Sequence, residues 1–199
     1  MNWKKETVEI NKRRKLAKAQ GGKDAIKLQH AKGRLTLRER IKLLLDEGSF
    51  QEQGEIAGGS EVNEKGGLES ITPANFILGF GKINEKQVVL GGEDFTVKGG
   101  SPNAAGLRKS VYTEELALNY KVPLIRMHEG GGGSVAGPGK KGRGSGGDAV
   151  FSRSRFKSVA DTLREIPVAS AALGPVAGLP AACLLYTSPS PRDVEESGV

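Results

Sequence analysis

Between residues 76 and 173 the chain alternates short apolar runs with helix-compatible stretches, and that alternation limits the folds open to it. Residues 76–83 and 87–90 are apolar runs around Asn84-Glu85-Lys86, the pattern of a β-hairpin. Residues 103–120 predict a helix marked by Leu107, Val111, Leu116 and Leu118. Residues 122–127 predict a short buried strand led in by Pro123, and 149–165 a second helix. Residues 167–173 predict a further strand, which Gly174-Pro175 is expected to turn toward a new helix. Strand, helix, strand, helix and strand in that order predict an α/β fold with parallel pairing and right-handed crossovers.

The amino-terminal part differs in character. Residues 3–32 are rich in Lys, Ala, Gln and Glu, which favour helix, and Gly21-Gly22 breaks them into two stretches. Thr36-Leu37-Arg38-Glu39 fits a capping box, in which the Thr and Glu side chains each satisfy an otherwise unpaired backbone N–H. Ile41, Leu44 and Leu45 follow at helical spacing, and Gly48 stands just past the end. The net charge is +7, with 14 Lys and Arg against 4 Asp and Glu in residues 1–42, so the remaining 157 residues carry a balance of −3. Residues 1–48 are therefore expected to be a basic helical arm that packs on a neighbouring subunit or lies near ligand phosphates. Residues 49–182 form the second unit. Residues 183–199 are expected to be a non-native or disordered tail. Pro189 and Pro191 fall where a helix needs N–H donors, and the stretch around them resembles translated adapter sequence.

Composition removes several function classes. Cys183 is the single cysteine, so neither an internal disulfide nor a Cys-rich zinc ribbon is available. His30 and His128 are too few for a His-based metal cluster, and no metal is expected. No apolar run approaches the ~18–20 residues of a membrane helix. The opening residues lack the apolar core of a secretory signal, so no membrane association is expected and the cytoplasm is the expected compartment.

The glycine-dense loop 129–147 contains two G-x-G-x-x-G matches, at Gly137–Gly142 and Gly142–Gly147. Neither directly follows a strand or opens a helix, as a dinucleotide fingerprint requires. Lys140 is followed by Lys141 rather than Ser or Thr, so a P-loop fails as well. The basic run Lys140–Arg143 invites a nucleic-acid reading, but aromatics make up 5% of the chain and none interleave with it to stack bases.

Three segments at the ends of expected strands carry more information: Glu93–Ser101, His128–Val135 and Gly174–Ala182. Ligands in α/β folds gather at the carboxyl ends of strands. Glycine there lets backbone N–H groups approach without a Cβ in the way, and a helix opening after Gly178 adds further donors. Such a set of donors suits a developing oxyanion.

The stretch Gly33-Arg34-Leu35-Thr36-Leu37-Arg38-Glu39-Arg40-Ile41-Lys42-Leu43-Leu44-Leu45-Asp46-Glu47-Gly48-Ser49-Phe50-Gln51-Glu52 resembles the opening of the carboxyltransferase subunits of propionyl-CoA and methylcrotonyl-CoA carboxylases. Asp94-Phe95-Thr96, with Gly99-Gly100-Ser101, is similar to the same family, and Gly174–Ala182 resembles its oxyanion loop. The similarity runs from about Arg14 to Ala182. It implies a crotonase-like ββα fold, of which this chain would hold an amino-terminal part, without the second domain that shapes the biotin pocket. Such a part is expected to be inactive alone. The implied activity is carboxyl transfer from carboxybiotin, carried on a separate domain, to the α-carbon of an acyl-CoA. The implied partners are a biotin carboxylase and biotin carrier subunit, with further copies of the same chain in the intact protein. The amides of Gly178 and Leu179 would face the thioester oxygen, beside the Gly99-Gly100 turn, and Lys98, Ser101, Gly132 and Gly133 would meet the substrate. Many relatives have a second glycine where Leu179 stands, which narrows the pocket here but keeps the amide. Two other readings stand beside this one: an enoyl-CoA hydratase or isomerase on the same fold, which needs a carboxylate near Gly178, and a basic glycine-rich nucleic-acid-binding protein. His30 is expected on a helix surface, His128 could line the site, and Glu129 is expected to orient the loop rather than act as a base.

Overall fold

The structure is a computed structural model and describes residues 3–64, 67–101, 103–130, 155–178, 180–181 and 184. Its centre is a five-stranded sheet in the order β1 (Gln51–Glu52), β4 (Phe76–Ile83), β5 (Lys86–Glu93), β6 (Leu124–Gly130) and β7 (Val168–Val176). β4 (Phe76–Ile83) and β5 (Lys86–Glu93) form the expected hairpin, joined by Asn84 and Glu85. Both turn residues have positive φ, 50° and 66°, as the tightest hairpin connections require. Asp46 fixes the turn, because its carboxylate accepts the Asn84 N–H at 3.0 Å and the Glu85 N–H at 2.8 Å. β5, β6 (Leu124–Gly130) and β7 (Val168–Val176) run parallel, linked by α4 (Ala104–Tyr120) and a second crossover that includes α5 (Arg155–Glu165). This is the βαβαβ order that the apolar runs predict. β1 (Gln51–Glu52) adds a short antiparallel edge to β4. β2 (Gly58–Val62) and β3 (Leu68–Pro73) form a separate ribbon that the sequence pattern does not announce.

The two faces of the sheet bury different partners. Ile77, Val88, Leu90 and Met127 point to one face and pack with Leu37, Ile41 and Leu45. Those three residues recur every four positions along and just past α3 (Leu37–Leu44), so one stripe of this short helix covers the sheet. The capping box is present, with Thr36 accepting from the Glu39 N–H and Glu39 accepting from the Thr36 N–H. α3 thus contributes its side chains to the core. On the other face Phe76, Leu78, Val89 and Leu124 pack with Leu116 and Ala117 of α4 and with Ile166. Leu107, an expected apolar marker of α4, is 38% exposed, because the buried stripe of this helix runs through Lys109, Thr113 and Glu114 instead.

α1 (Lys4–Lys18) and α2 (Lys23–Ala31) meet the expected break at 19–22. They pack on this chain itself. Lys12 Nζ donates to the Leu68 carbonyl of β3 at 3.1 Å, and Arg14 and Lys18 both pair with Glu55. At the break, the Gly21 N–H donates to Thr96 Oγ1 at 3.0 Å. The contact is so close that a Cβ at residue 21 would stand 1.8 Å from the Thr96 carbonyl oxygen.

Candidate functional site

The site is built where β5, β6 and β7 end. β5 runs into Asp94, whose carboxylate accepts the Thr96 N–H at 3.0 Å and the Thr96 hydroxyl at 2.6 Å. This short-range bonding reverses the chain, and Lys98–Gly100 closes as a single 3-10 turn. Lys98, Gly99 and Gly100 all have positive φ, between 52° and 69°. Asn75, in the link just before β4, secures the turn, since its Nδ2 donates to the Gly100 carbonyl at 3.0 Å. Asn103 then caps α4 by accepting the Gly106 N–H at 2.7 Å.

From the far side comes β7. The expected turn at Gly174-Pro175 does not form. The strand runs on to Val176, and its pairing with β6 absorbs an irregularity between His128 and Gly130. Pro175 is tolerated because β7 is an edge strand of the sheet among the described residues. The turn comes instead at Ala177 and Gly178, where Gly178 has φ +72°. Pro180 and Ala181 have helical backbone, and the Ala181 N–H donates to the Gly178 carbonyl at 3.1 Å.

Gly130, the last residue of β6, is where the two turns meet. Its carbonyl accepts the Ala177 N–H at 3.2 Å. On the other side the Gly100 backbone lies so near that a Cβ there would come within 2.5 Å of the Glu129 carbonyl oxygen and 2.7 Å of Gly130 Cα. Both turns have left-handed glycines, and the junction between Gly100 and Gly130 has no room for a side chain. Of the expected site residues, Gly99, Gly100 and Gly178 are therefore brought to one strand end. Lys98 is exposed at the start of its turn, and Ser101 is half-buried at its end. Gly132, Gly133 and Leu179 lie outside the described residues, as does the carboxyl-terminal tail except for Leu184.

The burial and pairing of the charges beneath this end escaped sequence reasoning, although His128 and Glu129 were singled out. Arg126, His128 and Glu129 are buried within β6. A buried strand tolerates charges only when they are paired, so the run Arg126-Met127-His128-Glu129 was the available signal. Arg126 meets Glu114 of α4 at 3.2 Å and lies over the Phe76 ring, and Ser158 of α5 donates to the same carboxylate at 2.7 Å. His128 is 0% exposed and so does not line an open site; its Nδ1 lies 3.2 Å from Glu93 Oε2. Burial works against the charge on Glu93, yet the His128 hydrogen bond and the charges of His128 and Arg126 outweigh it and hold the carboxyl below its usual range. Burial pushes Asp94 above its usual range, although the Thr96 hydrogen bonds and the Arg38 charge oppose it. His30 is exposed as expected and pairs with Glu39 at 2.9 Å.

Among the described residues no group of three or more His, Cys, Asp or Glu is placed to hold a metal. Among the same residues no helix is long and apolar enough to cross a membrane. The strand ends thus offer main-chain donors and carbonyls, set by glycine and held in place by charges one layer down.

The comparisons with known proteins agree with this construction. The carboxyl transferase domain matches residues 28–182. The chain is 36% identical over 129 residues to the propionyl-CoA carboxylase beta chain of Cereibacter sphaeroides, covering 64% of this chain and 25% of that one. It is 31% identical over 118 residues to the methylmalonyl-CoA decarboxylase subunit alpha of Veillonella parvula, covering 59% of this chain and 23% of that one. The crystal structure of transcarboxylase 12S with methylmalonyl-coenzyme A bound superposes with a TM-score of 0.73 at 25% identity, covering 94% of this chain and 35% of that one. The expected crotonase-like fold is thereby found. The chain spans about a quarter of the length of the two curated relatives. Fold, strand-end glycines and the match over 28–182 coincide, and the chain belongs to the carboxyl transferase domain family.

Proposed function

We propose that this chain supplies the acyl-CoA half of a carboxyltransferase, in which a carboxyl group moves between biotin on a separate carrier and the α-carbon of an acyl-CoA. The observation that carries the reading is the convergence of the Gly99-Gly100 and Ala177-Gly178 turns on Gly130 in a chain of this family. The amides of Gly178 and Leu179 are assigned to the thioester oxygen. Gly178 sits in a turn tied to β6 by the Ala177–Gly130 hydrogen bond, and an amide fixed before substrate arrives stabilises the enolate oxygen without reorganisation. Lys98 and Ser101, with Gly132 and Gly133, are assigned to the substrate around it. Carboxybiotin supplies the carboxyl group when its carrier docks, and the residues of this chain are assigned to the acyl-CoA side alone. The intact protein is read as working in the cytoplasm with a biotin carboxylase and carrier subunit and with further copies of itself.

The similarity to a decarboxylase subunit favours testing both directions of transfer. The intact protein that carries this chain should move labelled carboxyl from a carboxylated carrier to propionyl-CoA or acetyl-CoA, and from methylmalonyl-CoA back to the carrier. G178V puts a β-branched side chain at a left-handed position and turns the amide away, so the rate of transfer should fall on the order of 10²–10³-fold. Wild-type turnover in G178V would remove the oxyanion assignment. Hydration of an enoyl-CoA without carboxyl transfer would instead favour a hydratase on the same fold.

A further inference from the structure

We infer that Glu129 is a positioning residue that locks both turns and the amino-terminal helices into one arrangement at the end of β6. The inference deepens the carboxyltransferase reading and rests on it. Glu129 is 1% exposed and sits on the α3 face of the sheet, opposite the His128 side. A buried carboxylate is held only by opposite charge and hydrogen bonds, and here they come from three separate places. Arg40 of α3 pairs with Oε2. Gln29 of α2 donates to Oε1 at 2.8 Å, from 100 residues earlier in the chain. Arg34, in the connection between those helices, lies 3.6 Å from the same oxygen.

The opposite flank of this carboxylate is β7. A Cβ at Gly174 would stand 2.4 Å from Glu129 Oε1, so the strand passes directly over the acid. Arg40 completes the link, because its Nη2 donates to the Leu173 carbonyl at 3.1 Å while its Nη1 holds Glu129. The main chain of Glu129 meets the other turn, since its carbonyl is the atom that a Cβ at Gly100 would strike. One residue therefore contacts the turn after β5 through its backbone and the strand leading to Gly178 through its side chain. The same side chain holds α2. In catalysis a misplacement of about 1 Å can cost roughly 10²-fold in rate, which makes such a junction consequential even though it need not touch substrate.

The experiment uses E129Q in the intact protein that carries this chain. The substitution keeps size and the Gln29 side while removing the charge that Arg40 and Arg34 hold. The expected result has two parts. Hydrogen exchange should quicken at least about tenfold at the amides of Gly100, Gly130 and Ala177 together, with faster exchange across 21–36. In steady-state carboxyl transfer, kcat should fall by about 10²-fold while the KM for acyl-CoA stays within about twofold. A double-mutant cycle adds a check on geometry. G174A should be as damaging as E129A, and E129A/G174A no worse than E129A alone, because removing the carboxylate makes room for the new Cβ. Unchanged exchange in E129Q overturns the inference. So does altered exchange with wild-type kcat, which would leave Glu129 a stabilising residue only. If the wild-type protein transfers no carboxyl group but the exchange pattern appears, the functional reading has failed and the junction stands.

Discussion

The two turns that meet at Gly130 are held by opposite strategies. The turn after β5 is braced mainly by near neighbours: Asp94 by Thr96, the Gly100 carbonyl by Asn75, and α4 by its own Asn103 cap. The turn after β7 has the Ala177–Gly130 and Ala181–Gly178 hydrogen bonds, and the strand leading into it is held by Arg40 reaching Leu173 across 133 residues of sequence and by the Glu129 cluster below Gly174. The first turn is braced within its own segment, by Asn75 and by Gly21, whereas the strand into the second is held by an arginine 133 residues away. The difference suggests that the donor geometry near Gly178 fails first when distant packing is disturbed.

R40M separates the two most sharply. It leaves Glu129 with Gln29 and the more distant Arg34, and strips the Leu173 carbonyl of its donor. Removing one partner of a buried ion pair costs about 3 kcal/mol or more, so urea denaturation should show a loss of that size. The exchange of Ala177 should quicken more than that of Gly100. N75A is the converse. It frees the Gly100 carbonyl and removes the acceptor of the Asn103 N–H, at about 2 kcal/mol. Its effect should centre on residues 99–106 and spare Ala177. Equal loosening of both turns by either substitution would dissolve the contrast.

The smallest effect is one of pH. Asp94 has a raised folded pKa, mainly through burial. Such a carboxyl contributes stability below its ordinary value of 3.8, and the contribution is lost as pH rises through the folded value. D94N removes this titration and keeps an acceptor for Thr96. The stability of D94N relative to wild type should therefore rise across that window, within about 1 kcal/mol. A series of thermal melts from pH 3 to 7 checks it, and a flat difference would assign the burial of Asp94 no energetic consequence.

How much of this was legible in the sequence follows the same division. The hairpin, the capping box of α3, the break at Gly21-Gly22 and the βαβαβ order follow from patterns of a few residues, and all four are present. The continuation of β7 through Gly174-Pro175 was not legible. Glycine and proline mark a turn by local propensity, and the pairing with β6 overrode it. The ribbon of β2 and β3 was also missed, because β2 is exposed throughout and β3 is only half-buried, which leaves no clear apolar pattern. At the site, the glycines were visible by composition and by resemblance. Their partners were not. Glu129 draws on Gln29, Arg34 and Arg40, and no spacing rule connects residues so far apart.

The junction of Gly21 with the Thr96 carbonyl oxygen also bears on which sequences this fold admits. Alanine, the mildest replacement, already places a carbon inside the space of a main-chain oxygen. That oxygen belongs to a loop fixed on both sides, so no rotamer change elsewhere relieves the overlap. Drift at position 21 is then closed unless the spacing of the neighbouring helices changes first. A designer who wanted those helices undocked could do it with a single methyl group.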